Sequence, residues 1–194
     1  MTPSANARSR RAAVRVPIAE PEDILGKLLG WYTRRVYGDV PDNALVLLHH
    51  RRALRATLFF EQRVAKFDRL DPDLKMLAIM AVAGTIGCSW CLDFGYYLAR
   101  TQGLAAGKIE HVGQWENSKA FSALERKVLA YAEAMTVSPP AVTDEMVAEL
   151  TAALGVPAVV ELTKMIAIEN ERSRFNSALG LTSQGFSDRC RLPQ

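Results

Sequence analysis

MLAIMAVAGTIGCSWCLDFGYYLAR, Met76–Arg100, is the stretch whose reading decides the fold. It opens with an apolar run, Met76 to Gly87, that carries no charge. The run is well short of the roughly twenty apolar residues of a membrane span, so it reads as a core helix buried all round. Asp71-Pro72 marks the start of that helix, because Asp accepts a bond from an early amide and Pro at the first position gives up an amide with no partner. Gly84 and Gly87 lead into Cys88-Ser89-Trp90-Cys91, after which Trp90, Leu92, Phe94, Tyr97 and Leu98 resume a helical period up to Gly103. Two thiols therefore fall where one helix stops and the next begins.

Outward from this stretch the same period recurs. Ile24, Leu25, Leu28, Leu29, Tyr32 and Val36 mark one helix face after Pro21-Glu22-Asp23, and Gly38-Asp39-Val40-Pro41 ends it. Asn43 to Phe67 reads as a short helix followed by a longer one, and Lys108 to Trp115 as a short weak one. Ser122 and Glu125 form a capping box ahead of Val128, Leu129, Ala132 and Met135, and Ser138-Pro139-Pro140 stops that helix. Thr143-Asp144-Glu145 starts another that ends at Gly155, and Pro157 opens a last long helix that turns polar at Glu169-Asn170-Glu171-Arg172. No alternating strand pattern competes, so the expected fold is all-α with roughly seven to nine helices.

The 194 residues suit one domain, expected over 18–194 behind a flexible basic tail at 1–17. Of 24 basic residues, Arg8, Arg10, Arg11 and Arg15 precede the first acidic one, and the remainder is close to neutral against 21 acidic residues. A clustered basic face for phosphates is missing, so nucleic acid is not an expected partner, nor is a membrane. The N-terminal arginines are not followed by the apolar segment of a secretory signal; an Arg- and Ser-rich, acid-poor start also fits a transit segment, and the loose tail is preferred. Three cysteines, Cys88, Cys91 and Cys190, are too few for a secreted disulfide framework. A reducing, cytoplasmic setting is expected.

A thiolate is the nucleophile in thiol chemistry, and a cysteine in the first turn of a helix gains from unpaired amides and the helix dipole. One cysteine can attack a peroxide or a disulfide, and the other, three residues on, can close an intramolecular disulfide. Against this stand two plainer accounts. Buried cysteines also serve as small hydrophobes, and a structural zinc site would need four ligands, for which only Cys190 and the histidines remain. No metal and no cofactor are expected.

Ile86-Gly87-Cys88-Ser89-Trp90-Cys91 after Asp73-Leu74-Lys75, with Phe121-Ser122-Ala123-Leu124-Glu125-Arg126 and Val142-Thr143-Asp144-Glu145 downstream, resembles the carboxymuconolactone decarboxylase / alkylhydroperoxidase D-like family. The likeness spans residues 38 to 186. It implies an all-helical homo-oligomer. In the peroxidase branch the cysteine pair reduces peroxides with electrons from a dithiol donor; the decarboxylase branch acts on a lactone acid and generally lacks the pair. By the resemblance Cys91 is the peroxidatic residue and Cys88 the resolving one. The family's proton relay has a histidine four residues after the second cysteine and a glutamate about twelve before the first, by the same resemblance, whereas this chain has Gly95 and Met76 there.

Other polar residues carry weaker readings. Asp93 is read as a helix-start acid with a proton relay as the alternative, and Tyr96 and Tyr97 as packing residues. His49, His50 and His111 read as surface, since adjacent helical residues point apart. Glu169, Asn170, Arg172, Arg174 and Asn176 form the richest polar cluster, with 169, 172 and 176 on one helix face, suited first to a subunit interface, then to solvent or to a pocket for an acidic ligand; Cys190 pairs between subunits or does nothing. Three functions remain in play: a thiol peroxidase or disulfide oxidoreductase on Cys88 and Cys91, a cysteine-independent decarboxylase or lyase, and a non-catalytic helical binding or assembly protein.

Overall fold

Helical periodicity along the chain yields helices throughout: the computed structural model describes residues 10–12, 14–104 and 106–190, and no strand occurs among them. In order these are α1 (Ile24–Tyr37), α2 (Asp42–Leu47), α3 (Arg51–Val64), α4 (Pro72–Ile86), α5 (Ser89–Thr101), α6 (Ala106–His111), α7 (Ala123–Thr136), α8 (Asp144–Leu154) and α9 (Val156–Ala178). Short 3-10 segments occupy Val112–Asn117 and Ser187–Cys190.

The apolar run forms α4, which packs against α5, α7 and α9. Leu77, Ala78, Val82 and Ala83 are completely covered, and Gly84 and Thr85 reach the surface at its end. Its start is fixed as expected, with the Asp71 carboxylate accepting from the Asp73 and Leu74 amides at 2.9 and 3.3 Å. The capping box also forms: the Ser122 amide donates to Glu125 Oε2 at 2.7 Å and the Glu125 amide to Ser122 Oγ at 3.3 Å. Each such cap stabilises its helix by about 1 kcal/mol. None of the helices among the described residues is long and apolar enough to cross a membrane.

Two expectations meet a different arrangement. The face of α1 that should turn inward is largely exposed, with Ile24, Leu28, Tyr32 and Val36 at 80%, 59%, 55% and 42%. Among the side chains described on that face Leu29 is buried, and α1 meets α5 near its C-terminal end, where Tyr37 lies edge-on to Phe94 at 5.1 Å and the Tyr97 hydroxyl donates to the Val36 carbonyl at 3.3 Å. The stretch expected as a loose tail makes contacts from Arg10 onward. Arg10 and Arg11 pair with the buried Asp42, and Arg15 donates to the carbonyls of Ser177 and Ala178 at 3.2 and 2.7 Å. Residues 1–9 lie outside the described part.

Candidate dithiol site

Gly87 creates the junction between α4 and α5. Its φ of +76° is left-handed, a region glycine enters without penalty, and its amide returns to the Ala83 carbonyl at 3.0 Å. Cys88 follows as the N-cap of α5, where its sulfur takes the part usually played by a hydroxyl or carboxylate: the Cys91 amide donates to Cys88 Sγ at 3.2 Å. Cys91 sits one turn in, and the two are joined as a disulfide with Cα atoms 5.3 Å apart. Both sulfur residues are buried, Cys88 at 1% and Cys91 at 6% exposure.

The site's walls are apolar and aromatic. Trp90 stacks on Phe94 at 5.1 Å between centroids, and Phe186 meets Phe94 edge-on at 5.1 Å. Val14, Val16 and Ile18 of the N-terminal segment pack against the same cluster as Cys88 and Cys91.

Position 95, where the resemblance would place a relay histidine, is filled by the side chain of Met80. Gly95 is buried where α5 crosses α4, and a Cβ there would meet Met80 Sδ at 2.5 Å, so any side chain requires Met80 to move. Met76, the other relay position, is buried one turn before Met80 on the same helix. Polarity reaches the sulfur from the C-terminal part of α9 instead, where Asn176 Nδ2 donates to Cys91 Sγ at 3.3 Å.

Of the polar residues on α9, Glu169 and Asn176 are inside the chain rather than on a subunit interface, whereas Asn170 and Arg172 are partly exposed and Arg174 is exposed. Asn176 is 1% exposed and Ser173 fully covered. Ser173 Oγ donates to Glu169 Oε1 at 2.9 Å, and Arg172 Nη1 to Glu169 Oε2 at 3.4 Å. Arg172 also grips Glu61 of α3 through two bonds, from Nε at 2.9 Å and from Nη2. Burial pushes the Glu169 carboxyl up to about 7, against the opposing pull of the Arg172 charge and the Ser173 hydroxyl. The signal was present as polar residues at 169, 173 and 176, a helical period, but it does not say which neighbour the stripe faces.

Asp93 is likewise more than a helix-start acid. Its carboxylate accepts the amides of Gln184, Phe186 and Ser187 at 2.8, 3.1 and 2.8 Å and so ties the C-terminal loop to α5. Burial alone would raise its pKa; the bonds from Ser187, Phe186 and Ser183 hold it below the usual value. Gln184 completes the tie, since its Oε1 accepts from Trp90 Nε1 at 2.8 Å and from the Asp42 amide at 2.7 Å. No sequence signal singled out Gln184 or Asp42. Tyr97 packs as expected, stacked on Phe94, while Tyr96 reaches Glu110 at 3.4 Å.

The histidines lie away from the sulfurs, all exposed. His50 Nδ1 caps α3 by accepting the Ala53 amide at 3.1 Å, and His49 Nε2 contacts the Pro17 carbonyl at 2.7 Å. No metal-binding group of three His, Cys, Asp or Glu residues occurs among the described residues. The Cys190 side chain, and with it any pairing, lies outside the described part.

The sequence pattern of the carboxymuconolactone decarboxylase family matches residues 51–134. The uncharacterized protein YnjA of Escherichia coli (strain K12) is 35% identical over 125 residues, which is 64% of this chain and 67% of that protein. An uncharacterized peroxidase-related protein from Ralstonia eutropha JMP134, described as an alkylhydroperoxidase AhpD core, superposes with a TM-score of 0.80 at 16% identity over 94% of this chain and 98% of its own. The debrominase Bmp8, as a cysteine-to-alanine variant in complex with 2,3,4-tribromopyrrole, gives a TM-score of 0.77 at 18% identity over 91% of this chain and 97% of its own. At such identities the two structures speak to the fold. The helical architecture agrees with these structures, and by the matched pattern and the Escherichia coli relative the chain belongs to the carboxymuconolactone decarboxylase family.

Proposed function

We propose that the protein is a thiol-dependent peroxidase or disulfide oxidoreductase in which Cys91 meets the substrate and Cys88 resolves the product. The observation that carries this reading is the Cys88–Cys91 disulfide at the head of α5, a bond that stores two electrons' worth of oxidation at one buried place. Cys91 is the more exposed of the two sulfur residues and is the one that carries a side-chain donor, which favours it as the attacking group.

In the peroxidase cycle the Cys91 thiolate attacks a hydroperoxide oxygen. The S–O bond forms, the O–O bond breaks, and the alcohol leaves after taking a proton. Cys88 then attacks the resulting sulfenic acid, forming the disulfide and releasing water. An external dithiol returns both electrons and protons and is itself oxidised to a disulfide. With a disulfide substrate, Cys91 attacks one sulfur of the substrate, Cys88 displaces it from the mixed disulfide, and the substrate leaves as its dithiol.

A second copy of this chain is the partner proposed for the exposed apolar face of α1, where Trp31 and Tyr32 stand at 67% and 55% exposure. Activity in the cytoplasm, where thiols are kept reduced, fits the same chemistry.

Turnover of hydroperoxide with a dithiol reductant tests the reading. Cys91→Ser is expected to abolish it; unchanged turnover in that variant contradicts the mechanism. A cysteine-independent lyase would keep its activity in the Cys88→Ala, Cys91→Ala double variant, and a binding protein would show no reaction with peroxide in any form.

A further inference from the structure

Resting on the dithiol chemistry proposed above, we infer that the Asn176 side-chain amide is the group that stabilises negative charge on Cys91 Sγ, approaching from α9 rather than from the α4 side on which the relay positions Met76 and Gly95 lie.

Three observations support the assignment. First, Asn176 Nδ2 donates directly to Cys91 Sγ at 3.3 Å, across 85 residues of sequence. A sulfur carrying a full charge is a far better acceptor than one in a disulfide, so this contact strengthens when Cys91 becomes a thiolate. Second, the other end of the amide, Oδ1, is buried without a hydrogen-bond partner. An asparagine kept only to fill space would be expected to satisfy both ends, and an apolar side chain of the same size would fill it without leaving an orphan acceptor. Third, the alternative position is occupied, because Met80 fills the space a side chain at 95 would need.

The charged groups on the surrounding elements are engaged elsewhere. Asp93 on α5 is bound by the amides of Gln184, Phe186 and Ser187. On α9, Glu169 is held by Ser173 and Arg172, and Arg172 by Glu61. Asp42 on α2 pairs with Arg10 and Arg11, and Arg15 bonds the carbonyls that end α9. Tyr37 on α1 joins the same cluster, its hydroxyl kept protonated by burial. Among the described residues, the Asn176 amide is the side-chain donor bonded to Cys91 Sγ.

The group acts at two steps. Loss of the Cys91 thiol proton leaves an electron pair on Sγ, facing Nδ2. In the reductive half, when a thiolate of the external dithiol attacks Cys88 Sγ, a new sulfur–sulfur bond forms to Cys88 and the Cys88–Cys91 bond breaks. Its electron pair stays on Cys91 Sγ, again against the amide.

The test uses the reduced full-length protein with Cys88→Ser and Cys190→Ser, so that Cys91 is the sole thiol, and follows its alkylation by iodoacetamide against pH. Asn176→Leu removes the donor at similar volume and is expected to slow alkylation at neutral pH about tenfold, the effect of one unit in the midpoint. Asn176→Asp keeps the shape but sets a carboxylate beside the sulfur, and slows it further. A merely structural asparagine would lower thermal stability in these variants and leave the midpoint where it was; that result overturns the assignment. Should neither variant fold, the side-chain amide resonance of Asn176 in the Cys91-only protein decides: it is expected to titrate together with Cys91, and a resonance unmoved through the titration overturns the assignment. An Asn176-dependent midpoint in a wild-type protein that turns over neither peroxide nor disulfide contradicts the proposed function alone, whereas normal turnover with an Asn176-independent midpoint contradicts this inference alone.

Discussion

Helices α1 and α5 are near-equal in length, and both carry apolar residues at a helical period, yet one buries its stripe and the other displays it. On α5, Trp90, Cys91, Gly95 and Ala99 turn inward against α4, α9 and the C-terminal loop. On α1, Ile24, Leu28, Trp31 and Tyr32 stand open. The difference lies in the partners, since the chain supplies a packed surface for α5, pinned by Asp93 and Gln184, whereas on α1 Tyr37 joins that cluster and Ile24, Leu28, Trp31 and Tyr32 stay exposed. Periodicity therefore settles that a segment is helical and has an apolar face, and leaves open what covers that face.

Substitutions can break this contrast, starting with the strongest. Phe186 is completely buried beside Trp90, Phe94 and the cysteines, so Phe186→Ala should cost about 3–5 kcal/mol in urea unfolding. A loss below about 1 kcal/mol would mean that the dithiol corner is as loosely held as α1.

Glu169 sharpens the contrast through pH. Its folded-state carboxyl, raised by burial to about 7 from a usual 4.5, binds its proton more tightly than the unfolded chain does. Its contribution to stability is therefore present at low pH and falls as pH rises through that window. Glu169→Gln removes this dependence, and relative to wild type it should gain up to about 3 kcal/mol between about pH 4.5 and about pH 8. Parallel melting curves at both pH values would contradict the burial argument.

Asp93 works in the opposite sense. Because bonds from the loop hold its pKa below the usual 3.8, its contribution is complete above that value and is lost as pH falls through the lower folded-state value. Asp93→Asn should cost about 1–3 kcal/mol at neutral pH and progressively less in acid, with the amides of 184–187 becoming faster to exchange.

The smallest effect is expected on the exposed helix. Trp31→Ala should change the unfolding free energy of the isolated subunit by less than about 0.5 kcal/mol. In light scattering the same variant is expected to lower the oligomer mass if a second copy covers α1, and an unchanged mass would remove α1 from the interface.

Much of this architecture was legible in the residues. Asp71-Pro72, the Ser122–Glu125 box and Thr143 each begin a helix where their chemistry requires it, and the uncharged run from Met76 to Gly87 is the central helix. The cysteine pair at a helix start was legible as well. What surrounds the pair was not, for definite reasons. Asp93 is bound by backbone amides, which leave no mark in a sequence. Asn176 lies 85 residues from Cys91, and the period it shares with Glu169 and Ser173 names a face without naming its neighbour. The closeness of Gly95 to Met80 depends on how two helices cross, so a missing side chain at 95 reads as a lost function in the sequence and as a packing contact in the fold.

As proposed above, Cys88 and Cys91 form a working redox pair. The most direct test adds one equivalent of hydroperoxide to the reduced protein and follows the peptide carrying both residues by mass. Stoichiometric conversion to the Cys88–Cys91 disulfide with loss of both thiol hydrogens is expected, and no such product in Cys91→Ser. Thiols that remain reduced while the peroxide persists would contradict the proposal.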